Sequence, residues 1–194
     1  MKDSEISEST DRLGIFAFEG DWDLDDLSIK SSIRPVLQLL HDACGVPFVH
    51  RRIGTEEELD YYVDKWLDEN HTNYLIGYFA FHGWKGAICP GGGDIDLEQL
   101  AALIGPHAHG RMLHFSTCET LAVPKAELQR LLKQTKARTV SGYTGSVDWI
   151  ESAAFDLIVL EALAEYTYPK AAGNMLLRRY KALSDRLGLV FESR

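Results

Sequence analysis

Five short apolar runs, most of them followed by a segment with helical spacing or a helix cap, constrain this chain more than any other feature. Residues 13–18 (LGIFAF), 46–53 (VPFVHRRI), 74–81 (YLIGYFAF), 111–116 (RMLHFS) and 139–143 (TVSGY) read as strands. Between them, residues 28–44 carry Ile29, Ile33, Val36, Leu37 and Leu40 at helical spacing, and Gly45 stops the helix. Thr55 with Glu58 predicts a capping box for a helix running to about residue 70, and Asp96 with Gln99 caps a short helix ending near Gly105. Residues 124–136 read as helical. Asp148 with Glu151 predicts the start of a long apolar helix reaching about residue 166, and a last helix covers 169–187. Residues 189–191 predict a small edge strand.

Such alternation predicts an α/β fold, a three-layer α-β-α sandwich around a mainly parallel sheet. Right-handed crossovers bring the C-terminal ends of the parallel strands to one edge, and the functional crevice of such a sheet lies outside those ends. The chain has 194 residues, which predicts a single domain over residues 13–194. Residues 1–12 are polar and read as a disordered tail, with no apolar core for a secretion signal. The formal net charge of -9 provides no basic surplus for phosphates, so neither nucleic acid nor membrane is an expected partner. The three cysteines fit neither a disulfide framework nor a CxxC zinc site, and a cytoplasmic location with reduced thiols is expected.

The strand ends carry the chemistry. The first ends in Glu19–Gly20–Asp21, the third in His82–Gly83, the fourth in Ser116–Thr117–Cys118–Glu119 and the fifth in Gly142–Tyr143–Thr144–Gly145. If the third and fourth strands are neighbours, their tips lie about 4.8 Å apart, and an imidazole and a thiol face one gap. A thiolate is the nucleophilic form of cysteine, and an imidazole is suited to take the thiol proton and return it to a leaving group. The developing oxyanion needs backbone donors. Gly83 permits a close approach to its N–H, and Cys118, expected at a strand-to-helix turn, offers a second.

This order of HG after the third strand and cysteine after the fourth resembles the caspase-like fold. That group of cysteine peptidases includes caspases, metacaspases, separase and the bacterial CHAT domains. The run VSGYTGSVDWIESAAFDLIVLEAL is similar to the fifth-strand-and-helix segment of CHAT domains. The resemblance implies a cysteine endopeptidase with His82 as base, Cys118 as nucleophile, and the amides of Gly83 and Cys118 as oxyanion hole. It implies a protein or peptide substrate, a regulatory protein partner, no metal or organic cofactor, and an effector role in bacterial defence or signalling. Metacaspases carry an acidic residue two before the cysteine; here that position is Ser116, which implies a neutral or apolar side chain before the scissile bond. Glu119 and Asp148 remain as sources of negative charge, and Tyr143 and Thr144 as substrate contacts.

Plainer readings stand beside these. His82 is also suited to cap its strand, Cys118 to be a small buried hydrophobe, Asp148 to be only an N-cap, and Trp84 to be a pocket lid or an interface residue. Cys44 reads as packing and Cys89 as an exposed thiol in the glycine-rich loop. His107, His109 and His114 lack a carboxylate or cysteine at short spacing, so no metal site is expected. CPGGGD lacks the GKS or GKT of a phosphate loop. Two alternatives to an active peptidase follow: an inactive caspase-like module that binds a partner through the same cleft, and an unrelated flavodoxin-like domain that binds a small ligand.

Overall fold

The structure, a computed structural model, describes residues 12–23, 28, 31–91, 93–166 and 168–194. The expected tail, apart from its last residue, and Ile29 of the first helix lie outside the described residues.

Nine strands and seven α-helices are described, and six of the strands form the main sheet. These are β1 (Ile15–Gly20), β2 (Phe48–Ile53), β3 (Ile76–Ala80), β7 (Met112–Ser116), β8 (Thr139–Tyr143) and β9 (Leu189–Ser193), in the order β2-β1-β3-β7-β8-β9. All pair in parallel except β9, which closes one edge antiparallel to β8. Helices α1 (Arg34–Cys44), α5 (Trp149–Glu165) and α6 (Pro169–Arg179) cover one face. Helices α2 (Glu56–Leu67), α3 (Leu97–Ile104) and α4 (Lys125–Thr135) cover the other. The fold is therefore the expected α/β three-layer sandwich.

The pleat assigns each strand residue to a layer, because successive side chains alternate faces. Phe16, Phe18, Phe79, Phe81, Leu113, Phe115 and Val140 join the core beneath α2, α3 and α4. Ile15, Ala17, Ile76, Tyr78, Ala80, Met112 and Tyr143 join the core beneath α1 and α5. Each side of the sheet thus buries aromatic or aliphatic surface at about 25 cal/mol per Å².

Four local readings change. Thr55 caps α2 by accepting the Glu58 N–H, but the Glu58 carboxylate accepts from the Gly54 N–H (2.7 Å), so the box expected there is not completed. The single helix expected over 169–187 is two, α6 and α7 (Lys181–Leu187), broken at Tyr180, whose φ of -113° leaves the helical region. Glu151 does not complete a capping box. Its carboxylate pairs with Arg186 at 3.2 Å, while Asp148 alone caps the backbone N–H groups of Ile150 and Glu151. The glycine-rich stretch after the third strand is not a simple loop. It holds β4 (His82–Trp84), β5 (Ala87–Cys89) and β6 (Ile95–Asp96), a separate antiparallel sheet that begins one residue beyond β3. Gly86, at φ +77°, makes the tight β4–β5 turn that a side chain would strain.

Candidate functional site

β3 and β7 are neighbours, with Ala80 opposite Ser116, so the His82 and Cys118 segments leave adjacent strand ends. The β4–β5 hairpin then folds against the segment after β7. A Cβ on Gly83 would lie 2.4 Å from Thr120 Oγ1, 2.9 Å from Thr117 Cβ and 3.0 Å from the Cys118 carbonyl oxygen. Only glycine lets the two segments meet this closely. The contact is fixed by Gly86 N–H donating to the Thr120 carbonyl (3.1 Å) and by Thr120 Oγ1 donating to the Ala87 carbonyl (2.8 Å).

His82 is exposed and its ring is held from the β1 side. Nε2 lies 2.9 Å from the carbonyl oxygen of Trp22, and the two rings meet edge-on at 5.3 Å. A carbonyl only accepts, so Nε2 carries the proton and the lone pair of a neutral ring resides on Nδ1. Trp22 also meets Trp149 edge-on at 4.6 Å. Cys118 is partly buried, and its thiol donates to the Val147 carbonyl across 3.9 Å. The ends of β1, β3, β7 and β8 thus supply Trp22, His82, Cys118 and the 147–149 segment to one region of the sheet edge.

Cys118 is not at a helix start. It lies on a bent segment, and α4 begins only at Lys125, so no helix dipole acts on it. Glu119 adopts φ +56°, an uncommon backbone state for a residue with a side chain, while its N–H donates to the Gly145 carbonyl (3.0 Å). That conformation turns the chain sharply directly after the thiol.

The expected substrate contacts divide. Glu119 and Asp148 are exposed at the rim, Asp148 serving as the cap of α5. Thr144 is partly buried and donates to the Gly188 carbonyl at 3.1 Å. Ser116 and Tyr143 do not line the gap. Both face the α5 side of the sheet and are buried, and both hydroxyls donate to Asp156 of α5. Cys89, expected to be exposed, is buried in β5. Burial, and then the nearby Asp94 carboxylate, push its thiol pKa up and hold it protonated.

Two buried carboxylates were not singled out as site residues by sequence reasoning. Asp156, fully buried, accepts from Tyr78 (2.7 Å), Tyr143 (2.5 Å) and Ser116, and lies 2.9 Å from His114 Nε2. Burial pushes its pKa up, but the bonds from His114, Ser116 and Tyr143 outweigh this and leave it lowered. Glu19, also fully buried, receives the Trp22 indole N–H (2.7 Å), Ser32 Oγ (2.7 Å) and Ile33 N–H (2.8 Å), with His50 Nε2 at 2.6 Å. Its pKa is likewise lowered, the bonds overcoming burial. The available signals were a carboxylate ending an apolar strand and another inside an apolar helix.

Among the described residues, no group of His, Cys, Asp and Glu is arranged to hold a metal ion, and no helix is long and apolar enough to cross a membrane. A family model described as a family of unknown function (DUF6642) matches residues 12–191. No curated protein matches the chain.

Proposed function

The chain belongs to DUF6642, a family without an assigned activity, and we propose from the strand-end geometry that it is a cysteine endopeptidase of caspase-like, CHAT-type character. The observation that carries this reading is the seating of Gly83 on the Cys118 segment, 3.0 Å from the Cys118 carbonyl oxygen to the position of an added Cβ. It supports a base and a thiol held on two adjacent segments, with backbone amides close to both.

In the proposed reaction the Cys118 thiol turns from the Val147 carbonyl towards His82, whose Nδ1 takes its proton. The thiolate sulfur attacks the peptide carbonyl carbon, and the oxyanion is met by the N–H groups of Gly83 and Cys118. Collapse breaks the C–N bond, the imidazolium gives its proton to the departing amine, and a thioester remains on Cys118. Water, losing a proton to His82, then attacks the thioester, releases the carboxyl product and restores the thiol. The step needs no cofactor. The imidazole orientation it requires agrees with Nε2 held by the Trp22 carbonyl. Ser116, committed to Asp156, adds no charge to the cleft, in keeping with a neutral or apolar side chain before the scissile bond. The family resemblance further suggests a cytoplasmic effector in bacterial defence or signalling, under control of a regulatory protein partner.

Incubation with a mixed peptide library, read by mass spectrometry, tests the proposal. The expected result is a set of cleavage products from the wild type that Cys118→Ala does not form. Identical product spectra from the two proteins, or no products from either, refute it.

A further inference from the structure

We infer that Glu19 is a positioning residue for His82, acting through Trp22. The inference rests on the reading of His82 as the base and adds a buried carboxylate that no direct contact links to the reaction.

The chain of contacts is short. Glu19 is the penultimate residue of β1, pairs with Ala80 across the ladder, and points to the α1 side of the sheet. Its Oε1 accepts both the Trp22 indole N–H (2.7 Å) and the Ile33 N–H (2.8 Å). Its Oε2 accepts from Ser32 Oγ at 2.7 Å and lies 2.6 Å from His50 Nε2, with Arg52 3.9 Å away. The carboxylate therefore ties together the exit of β1, the entrance to α1 and the neighbouring strand β2. Trp22, three residues beyond Glu19, is fixed at its indole end by Glu19. Its carbonyl then meets His82 Nε2 at 2.9 Å and its ring meets the His82 ring at 5.3 Å. His82 is exposed and depends on these contacts for a fixed orientation, since an exposed imidazole otherwise samples several rotamers.

A capping role for α1 alone does not account for this arrangement. The Ile33 bond uses one lone pair of Oε1, whereas the other accepts the indole N–H of Trp22, which lies outside α1 and is the residue that touches the imidazole. A buried charge is costly unless its bonding capacity is filled, and here part of that capacity is spent on Trp22.

Three variants separate positioning from simple support. Trp22→Phe removes the indole N–H and keeps an aromatic ring. Glu19→Met keeps the length of the side chain and removes its acceptors. Glu19→Gln keeps an oxygen for the indole, while its amide N–H groups face the Ser32 hydroxyl and the His50 ring. Crystal structures report the Trp22–His82 contact, and alkylation by limiting iodoacetamide reports Cys118 reactivity relative to Cys44 in the same sample. Trp22→Phe and Glu19→Met are expected to lose the carbonyl–Nε2 contact and to slow Cys118 relative to Cys44 by about tenfold or more, less than the roughly 10²–10⁴-fold of a whole general base because His82 itself remains. Glu19→Gln is expected to retain both. Loss of the contact without a change in Cys118 rate upholds Glu19 as the positioning group and removes His82 as the base of Cys118. Retention of the contact in both Trp22→Phe and Glu19→Met overturns the inference. If Glu19→Met does not fold, the half-buried Trp22→Phe site carries the same decision alone.

Discussion

Replacing Asp156 by Asn changes one oxygen into a donor at the centre of a group made almost entirely of donors. Oδ1 serves His114 and Tyr143, and Oδ2 serves Tyr78 and Ser116, with every one of these side chains buried. An asparagine presents one oxygen to one of these pairs and an NH2 to the other. The two bonds retained become neutral, a loss of about 1 kcal/mol each, since a bond to a charged group contributes about 1.5–3 kcal/mol and a neutral one about 0.5–1.5. The other pair faces N–H groups, and hydroxyl rotation relieves only part of that conflict. Relief of the buried charge offsets a share. The net cost is about 3–5 kcal/mol, comparable to breaking a buried ionic contact, or roughly 10 °C in melting temperature for a chain of this length. Urea unfolding followed by circular dichroism measures it, with an unchanged slope showing that stability and not the denatured state has moved. The sign with pH follows from the lowered folded-state pKa of Asp156. Its ionised form contributes stability that is fully present above the ordinary carboxylate value near 4 and is lost as pH falls through the lower folded value. The gap between wild type and Asp156→Asn should therefore be constant from pH 7 to about 5 and begin to close near pH 4. A loss below about 1 kcal/mol at pH 7, or a gap that widens on acidification, refutes the reading of this group as an ionised acceptor.

Three further outcomes follow from the site. Limiting iodoacetamide near pH 6.5 should modify Cys118 before Cys44, and Cys89 last because it is buried and held protonated; His82→Ala should remove the preference for Cys118, and peptide mapping that finds Cys89 reacting as fast as Cys118 in the native protein contradicts this. Gly83→Ala should lower peptide cleavage by at least about tenfold and stability by about 1–3 kcal/mol, because its methyl meets Thr120 Oγ1 at 2.4 Å and Thr117 Cβ at 2.9 Å; wild-type cleavage with an unchanged melting temperature speaks against the close contact. Profiling of cleavage sites should return neutral or apolar residues before the scissile bond, and a strict requirement for arginine or lysine there removes the inference drawn from Ser116.

The layer architecture was legible because its causes are local and periodic. Each of the five runs overlaps one of the parallel strands; β1, β3, β7 and β8 are buried throughout and read as nearly continuous apolar runs, while β2, at the sheet edge, keeps His50, Arg51 and Arg52 in its run. The adjacency of β3 and β7 needed only the assumption that strands consecutive in the α/β pattern lie side by side. The small β4–β5–β6 sheet was hidden because its strands are only two or three residues long and flank a glycine-rich stretch, which leaves no period to detect. Its effect on Cys89 was hidden with it: a thiol beside four loop-forming residues looks exposed until β5 places it opposite His82 on a buried strand.

For the site, sequence supplied the residues that end strands and missed what stands behind them. Ser116 and Tyr143 were assigned to the cleft because both lie at strand tips, but position along a strand does not decide which way a side chain points. The pleat does: His114 and Ser116 on β7 share a face with Tyr78 on β3, and Ser141 and Tyr143 on β8 follow, with Tyr78, His114 and Ser141 aligned in register. Polar residues at alternate positions of otherwise apolar strands demand a buried partner, and Asp156, set among Phe155, Val159 and Leu160 on α5, is that partner. The same argument applies to Glu19, a buried acid on β1 whose four hydrogen-bonding partners come from residues as far as His50 in sequence. Both carboxylates are fully buried, Asp156 on α5 and Glu19 within β1, where an unfilled hydrogen bond is costly. Tyr143 and Ser116 are therefore held by Asp156, and the Trp22 indole by Glu19, so the segments that carry Cys118 and orient His82 rest on two separate buried acids.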